Sequence, residues 1–212
     1  MTFRTHSLVA IAVVVGACTE APAPTALIPD QPLLAASAGA YVPGEQQPLM
    51  DATNAVGIME NGVGPILAQT FTQRASASLG YLQLPVACLG STLLNVRIRE
   101  GLGGRILYQV NAAGLPRTLS NTMSTIQVYD PATMGRGIRL RKGTQYAFEL
   151  AAVRGSPTDF SASCGIAKGP DGNSYNGGRS YAWDPRFVTS WVPRPNGSPA
   201  DDEDLPFITL VR

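Results

Sequence analysis

Downstream of residue 65 the chain alternates apolar and polar side chains over short runs. In LLNVRIRE (93–100), Leu94, Val96 and Ile98 alternate with Asn95, Arg97 and Arg99. That period of two marks a half-buried strand. The run TQYAFELAAV (144–153) likewise sets Tyr146, Phe148, Leu150 and Ala152 on one face. Further β-rich segments are ILAQTFTQ (66–73), SLGYLQL (78–84), RILYQV (105–110), TIQVYD (125–130), FSASCGIA (160–167) and DLPFITLV (204–211). About eight strands, none followed by an apolar stripe of helical period, predict an all-β fold built as an antiparallel β-sandwich with no substantial helix. A domain spanning 65–212 is long enough to bury roughly 70% of its unfolded surface around one core.

The N-terminal pattern is different. Residues 1–18, MTFRTHSLVAIAVVVGAC, join a positive Arg4 to an apolar run from Leu8 to Val15. That run is too short for a bilayer span of about 20 residues. It suits the hydrophobic core of an export signal. Val15-Gly16-Ala17-Cys18 resembles a bacterial lipobox. The resemblance implies a signal peptide of residues 1–17, cleavage before Cys18 and a lipid on Cys18, which would hold the protein to a membrane. An ordinary signal peptide cut nearby is the alternative. Residues 18–40 are rich in Ala and Pro, and Pro22, Pro24, Pro29 and Pro32 disfavour both helix and sheet. They read as a tether holding the domain clear of the membrane. Residues 41–64, with Gly, Pro and little periodicity, read as an irregular lead-in.

Charge narrows the chemistry. Basic and acidic residues nearly cancel, 16 against 15. A nucleic-acid binder needs a basic face, so nucleic acid is not an expected partner. Arginines on strand positions read as solvated strand faces. The single histidine, His6, lies in the export signal. A mature chain without histidine excludes His-dependent hydrolase triads and His-ligated zinc. With Cys18 lipidated, Cys88 and Cys164 remain. Outside the cytoplasm two such cysteines form one disulfide, or else stay as two buried thiols. No histidine is left to activate either of them as a nucleophile.

Several phrases, taken in order, carry a resemblance. They are Ala68-Gln69-Thr70-Phe71-Thr72, Val96-Arg97-Ile98-Arg99, Leu140-Arg141-Lys142-Gly143-Thr144-Gln145-Tyr146, Tyr175-Asn176-Gly177-Gly178 with the later Trp191, and Asp204-Leu205-Pro206-Phe207. Together they resemble the secreted bacterial jelly-roll modules of the choice-of-anchor type, related to galactose-binding-like sandwiches. The match covers residues 65–212. It implies a jelly-roll-like sandwich that is extracellular and non-catalytic. Many such modules use a C-terminal sorting signal, and the lipobox here implies a different anchoring route. In that family the Tyr-Gly-Gly and Trp positions look like framework.

The segment 170–195 concentrates Tyr175, Tyr181, Trp183, Phe187 and Trp191. Aromatic faces stack on sugar rings, and Asp171, Asn173, Arg179 and Asp184 beside them can hydrogen-bond hydroxyls. Binding residues also gather on loops held by a rigid scaffold. The alternative is structural, since so long a connection needs a small core of its own. Asp204 closes an acidic run and, with Asp51 or Asn54 from the lead-in, is the candidate site for a structural calcium, the one cofactor expected. Neighbours on an extended chain point to opposite sides, which favours a solvated loop instead. No carboxylate pair stands out as a glycosidase would require. The expected protein is a lipid-anchored module of a bacterial cell envelope, facing the periplasm or the exterior and binding carbohydrate. A structural or interaction module, partnered by another envelope protein, is the alternative.

Overall fold

The computed structural model describes residues 41–60, 64–129, 137–156, 162–169, 175–193 and 204–212. The expected signal peptide, the expected tether and Cys18 lie outside them. Residues 35–212 make one compact unit. Among the described residues every regular element is a strand, and the fourteen strands form three antiparallel sheets. The first sheet runs β1 (Val42–Gln47), β14 (Phe207–Val211), β4 (Ala77–Leu84), β8 (Ser124–Gln127), with β9 (Ile138–Leu140) also paired to β4. The second runs β13 (Val192–Pro193), β12 (Ser180–Trp183), β3 (Ile66–Thr72), β10 (Gln145–Val153), β6 (Leu93–Arg99), β7 (Ile106–Ala112). The third is β2 (Asp51–Met59), β11 (Ser163–Lys168), β5 (Val86–Cys88).

The alternation read from the sequence sets the core. Leu94, Val96 and Ile98 of β6 join Tyr146, Phe148, Leu150 and Ala152 of β10 in one buried cluster. Leu79, Leu82, Ile126 and Phe207 of the first sheet and Ile58, Val86 and Ile166 of the third complete it. Phe207 is its aromatic hub, with Phe148 and Tyr175 edge-on at centroid distances of 5.4 and 5.2 Å. Cys88 and Cys164 are disulfide-bonded registered partners on β5 and β11 and belong to the same cluster.

Two expectations need correction. The described residues hold more strands than eight, because β1, β2, β5, β9 and β12 are recruited by partners distant in sequence and β13 is a two-residue strand that pairs back on β12. The lead-in is not irregular, since β1 pairs with β14 and β2 with β11. Pro43 and Gly44 break the period of β1, and a register shift between Pro43 and Gln46 absorbs them. Pro is tolerated there because β1 is an edge strand. Gly44 is needed for contact, as a Cβ would come within 2.8 Å of Thr209 Oγ1. The sandwich therefore includes Val42–Gln47 and Asp51–Met59, ahead of residue 65.

Candidate functional site

Strand β12 decides which rings face outward. Successive side chains on a strand point to opposite faces. Ala182 packs against the core cluster, so Tyr181 and Trp183 project from the outer face of the second sheet, where both are half-buried. A turn follows in which the N–H groups of Phe187 and Val188 bond the carbonyl of Asp184. Arg186 grips the Asp184 carboxylate with two nitrogens, at 2.9 and 2.6 Å. Its hydrogen bonds hold that carboxyl below the usual range. The turn brings Trp191 back beside Trp183, with ring centroids 5.7 Å apart and planes inclined by 52°. Trp183 Nε1 donates to the Val188 carbonyl at 3.2 Å. Trp191 also reaches the β6–β7 turn, where a Cβ on Gly103 would lie 3.9 Å from its Cδ1.

Register carries this outer face across the sheet. One rung runs Tyr181, Ala68, Glu149, Arg97, Gln109. The next, toward the β6–β7 turn, runs from Arg179, whose backbone is bonded to Thr70, through Ala147 to Arg99. On the other side Ala151, Asn95 and Asn111 are aligned. Tyr181 and Trp183 thus stand at one side, Arg97, Arg99, Asn95 and Asn111 at the other, and a floor of small residues between them. Ala68, Ala147 and Ala151 point outward yet are buried, so the larger side chains of this face close over them.

The polar half contains a buried charge. Glu149 is 4% exposed at its side chain, against 24% for Arg97 and 17% for Arg99. Arg99 takes most of the compensation. Its Nε lies 2.6 Å from Glu149 Oε1, close but off the hydrogen-bonding line, and its Nη1 donates to the Gly104 carbonyl at 2.6 Å. Arg97 is only loosely engaged, with Nη1 3.9 Å from Glu149 Oε2. The arginines read from the sequence as a solvated face are therefore largely covered. A buried ion pair needs such extra hydrogen bonds to offset desolvation.

Of the predicted site residues, Tyr181, Trp183 and Trp191 come together, with Arg179 exposed at the margin. Tyr175 does not join them. It is buried, packed edge-on against Phe207, and its hydroxyl donates to Glu45 Oε2 at 2.9 Å. Burial, then the Glu45 hydrogen bond, pushes its phenol well above the usual tyrosine range. It is a buried framework residue and not the ligand contact expected from its place in the aromatic run. Asp171 and Asn173 lie outside the described residues.

Asp204 also has a structural role. It is buried and accepts from Gln69 Nε2 at 2.8 Å and from the Tyr175 N–H. Gln69 completes the clamp, its Oε1 accepting from Leu205 N at 2.9 Å. Asp51 and Asn54 lie on β2, their side chains outside the described set. Among the described residues no group of three or more His, Cys, Asp or Glu is placed to hold a metal ion.

Sequence reasoning missed Asn95, Arg97, Arg99 and Glu149 as part of a site. The signal was present as two arginines and an amide at alternate positions of one strand, but their partner Glu149 lies 50 positions away in the chain and meets them only through β10. No protein-family model matches the chain, and no curated protein sequence is significantly similar to it.

Proposed function

We propose that this chain is a lipid-anchored, non-catalytic module of a bacterial cell envelope, of the choice-of-anchor jelly-roll kind, that binds carbohydrate on the outer face of its second sheet. Tyr181, Trp183 and Trp191 supply the stacking surface, and the amide and guanidinium groups of β6 and β7 supply hydrogen bonds. The observation that carries this reading is the partly exposed Trp183–Trp191 pair set on one sheet face with a polar strip. Rings with one wet side suit ligands that are apolar on their faces and polar at their edges. The buried disulfide suits an oxidising compartment, which supports export. Catalysis is not part of the proposal. The buried carboxylate of this face, Glu149, is held by Arg99, whereas glycoside hydrolysis takes two working carboxylates.

The test is a glycan array followed by titration of tryptophan fluorescence. Trp183→Ala and Trp191→Ala are each expected to weaken glycan binding by about tenfold or more. A glycan bound equally well by both variants, or no glycan bound by the parent, overturns the reading. Cys18→Ala is expected to abolish palmitate incorporation, and continued labelling would remove the anchor. A second reading, a protein-docking module, is favoured by Phe187, which is 79% exposed beside the edge strand β13. Phe187→Ala separates the two, because it weakens a protein contact there and leaves glycan binding intact.

A further inference from the structure

Arg97 is the least satisfied charge on the outer face. Its side chain is three-quarters covered, and its one acid contact is the long approach to Glu149. Among the described residues it makes no hydrogen bond, and its Nε is buried without an acceptor. The nearer cation to Glu149 is Arg99, at 2.6 Å. Two positions back on the same face, roughly 7 Å along β6, Asn95 is in a related state. Its Nδ2 donates to Asn111 Oδ1 at 2.6 Å while its Oδ1, also buried, has no partner. Buried polar atoms in folded proteins are nearly always paired, and on this face Arg97 Nε, Asn95 Oδ1, Arg99 Nε and Glu149 Oε1 are not, the last two facing each other as an ion pair, so Arg97 and Asn95 call for a missing partner. The arginines of β6 on this face, Arg97 and Arg99, outnumber the rung carboxylate they approach, Glu149. Arg186 and Arg105 nearby are already paired with Asp184 and Glu100.

Resting on the carbohydrate-binding reading, we propose that the ligand is an acidic polysaccharide, with Arg97 receiving a uronate carboxylate and the Asn95 amide a hydroxyl of the same sugar. A guanidinium presents a planar fork that matches a carboxylate with two parallel hydrogen bonds. Trp183, on β12 and three strand spacings or roughly 14 Å from β6, would stack with Trp191 on a neighbouring sugar of the same chain. An extended ligand lying across the strands meets both.

The experiment compares tetragalacturonate, its methyl ester and cellotetraose by titration calorimetry on the purified protein. The acid is expected to bind about tenfold or more tighter than the ester, which keeps the sugar and loses the charge. Arg97→Gln is expected to erase that difference, while Trp191→Ala weakens acid and ester alike. Arg97→Lys, which keeps the charge without the fork, should fall between the parent and Arg97→Gln. It also serves as the reading if the glutamine variant fails to fold by circular dichroism. Equal binding of acid and ester, or full affinity for the acid in Arg97→Lys, overturns this inference and leaves carbohydrate binding standing. If neither these sugars nor any glycan on the array binds, both fall together.

Discussion

Reducing the disulfide is the perturbation whose size follows most directly from the fold. The bond between Cys88 and Cys164 closes 76 positions of chain. Between its ends lie β6 to β10, which supply strands to both larger sheets. In the unfolded state this cross-link removes loop-closure entropy that grows with the logarithm of length, giving about 4.5 kcal/mol as a ceiling. The folded state loses little on reduction, because β5 and β11 stay paired by their own ladder and both sulfurs remain in an apolar cluster. Chemical reduction is therefore cleaner than a double alanine variant, which would add a cavity to the loss. The assay is equilibrium unfolding in urea, followed by tryptophan fluorescence with and without reductant. With a slope of about 3 kcal/mol per molar, the midpoint should fall by about 1.5 M on reduction. A shift below about 0.3 M would refute the loop-closure argument. Two alkylatable thiols in the oxidised, unfolded protein would refute the bond itself.

Tyr175→Phe should cost about 2 kcal/mol in a urea or thermal midpoint, because it leaves the buried Glu45 Oε2 without its hydroxyl donor. A cost near zero would show that Glu45 finds another donor. The same residue sets an alkaline limit. Its phenol is raised in the folded state, so its contribution is intact below about pH 10, where the unfolded phenol titrates, and is lost as pH climbs above that. Tyr175→Phe should flatten this decline. Tyr129, pushed up to about 12 first by its hydrogen bond with Tyr81, should keep its own share. Asp204→Ala should destabilise by about 3 kcal/mol, because Gln69 Nε2 and the Tyr175 N–H lose their buried acceptor. Calcium or a chelator should leave the melting temperature of the parent protein unchanged, and a rise with calcium would return Asp204 to a metal.

How much of the site could be read in advance differs from strand to strand. On β6 and β10 the alternation was unmistakable, and every residue it assigned to the core is there. On β12, four residues between Arg179 and Asp184, no period can be recognised, so Tyr181 and Trp183 could be picked out only by their crowding with Tyr175 and Trp191. The fold sets three of those rings on one outer face and turns the fourth into the core. Tyr175 lies just before the chain turns into β12, and its side chain falls on the core side of the sheet against Phe207. The Gly177-Gly178 pair was the available hint. A Cβ on Gly178 would meet the Thr70 carbonyl at 1.9 Å, so the chain beside Tyr175 is pressed onto β3.

Alone, the order of residues determined that the chain would form two-faced strands, that cysteines stand at 88 and 164 within them, and that its aromatic residues gather late. These are local properties, set by side-chain period and composition. Only the tertiary structure decided that Val42–Gln47 is a strand, since its partner β14 lies at the far end of the chain. It alone decided that the outer arginines of β6 close over a buried glutamate, and which aromatic rings meet water. Alternation divides a strand into two faces, but whether a face is wet depends on what distant segments lay across it.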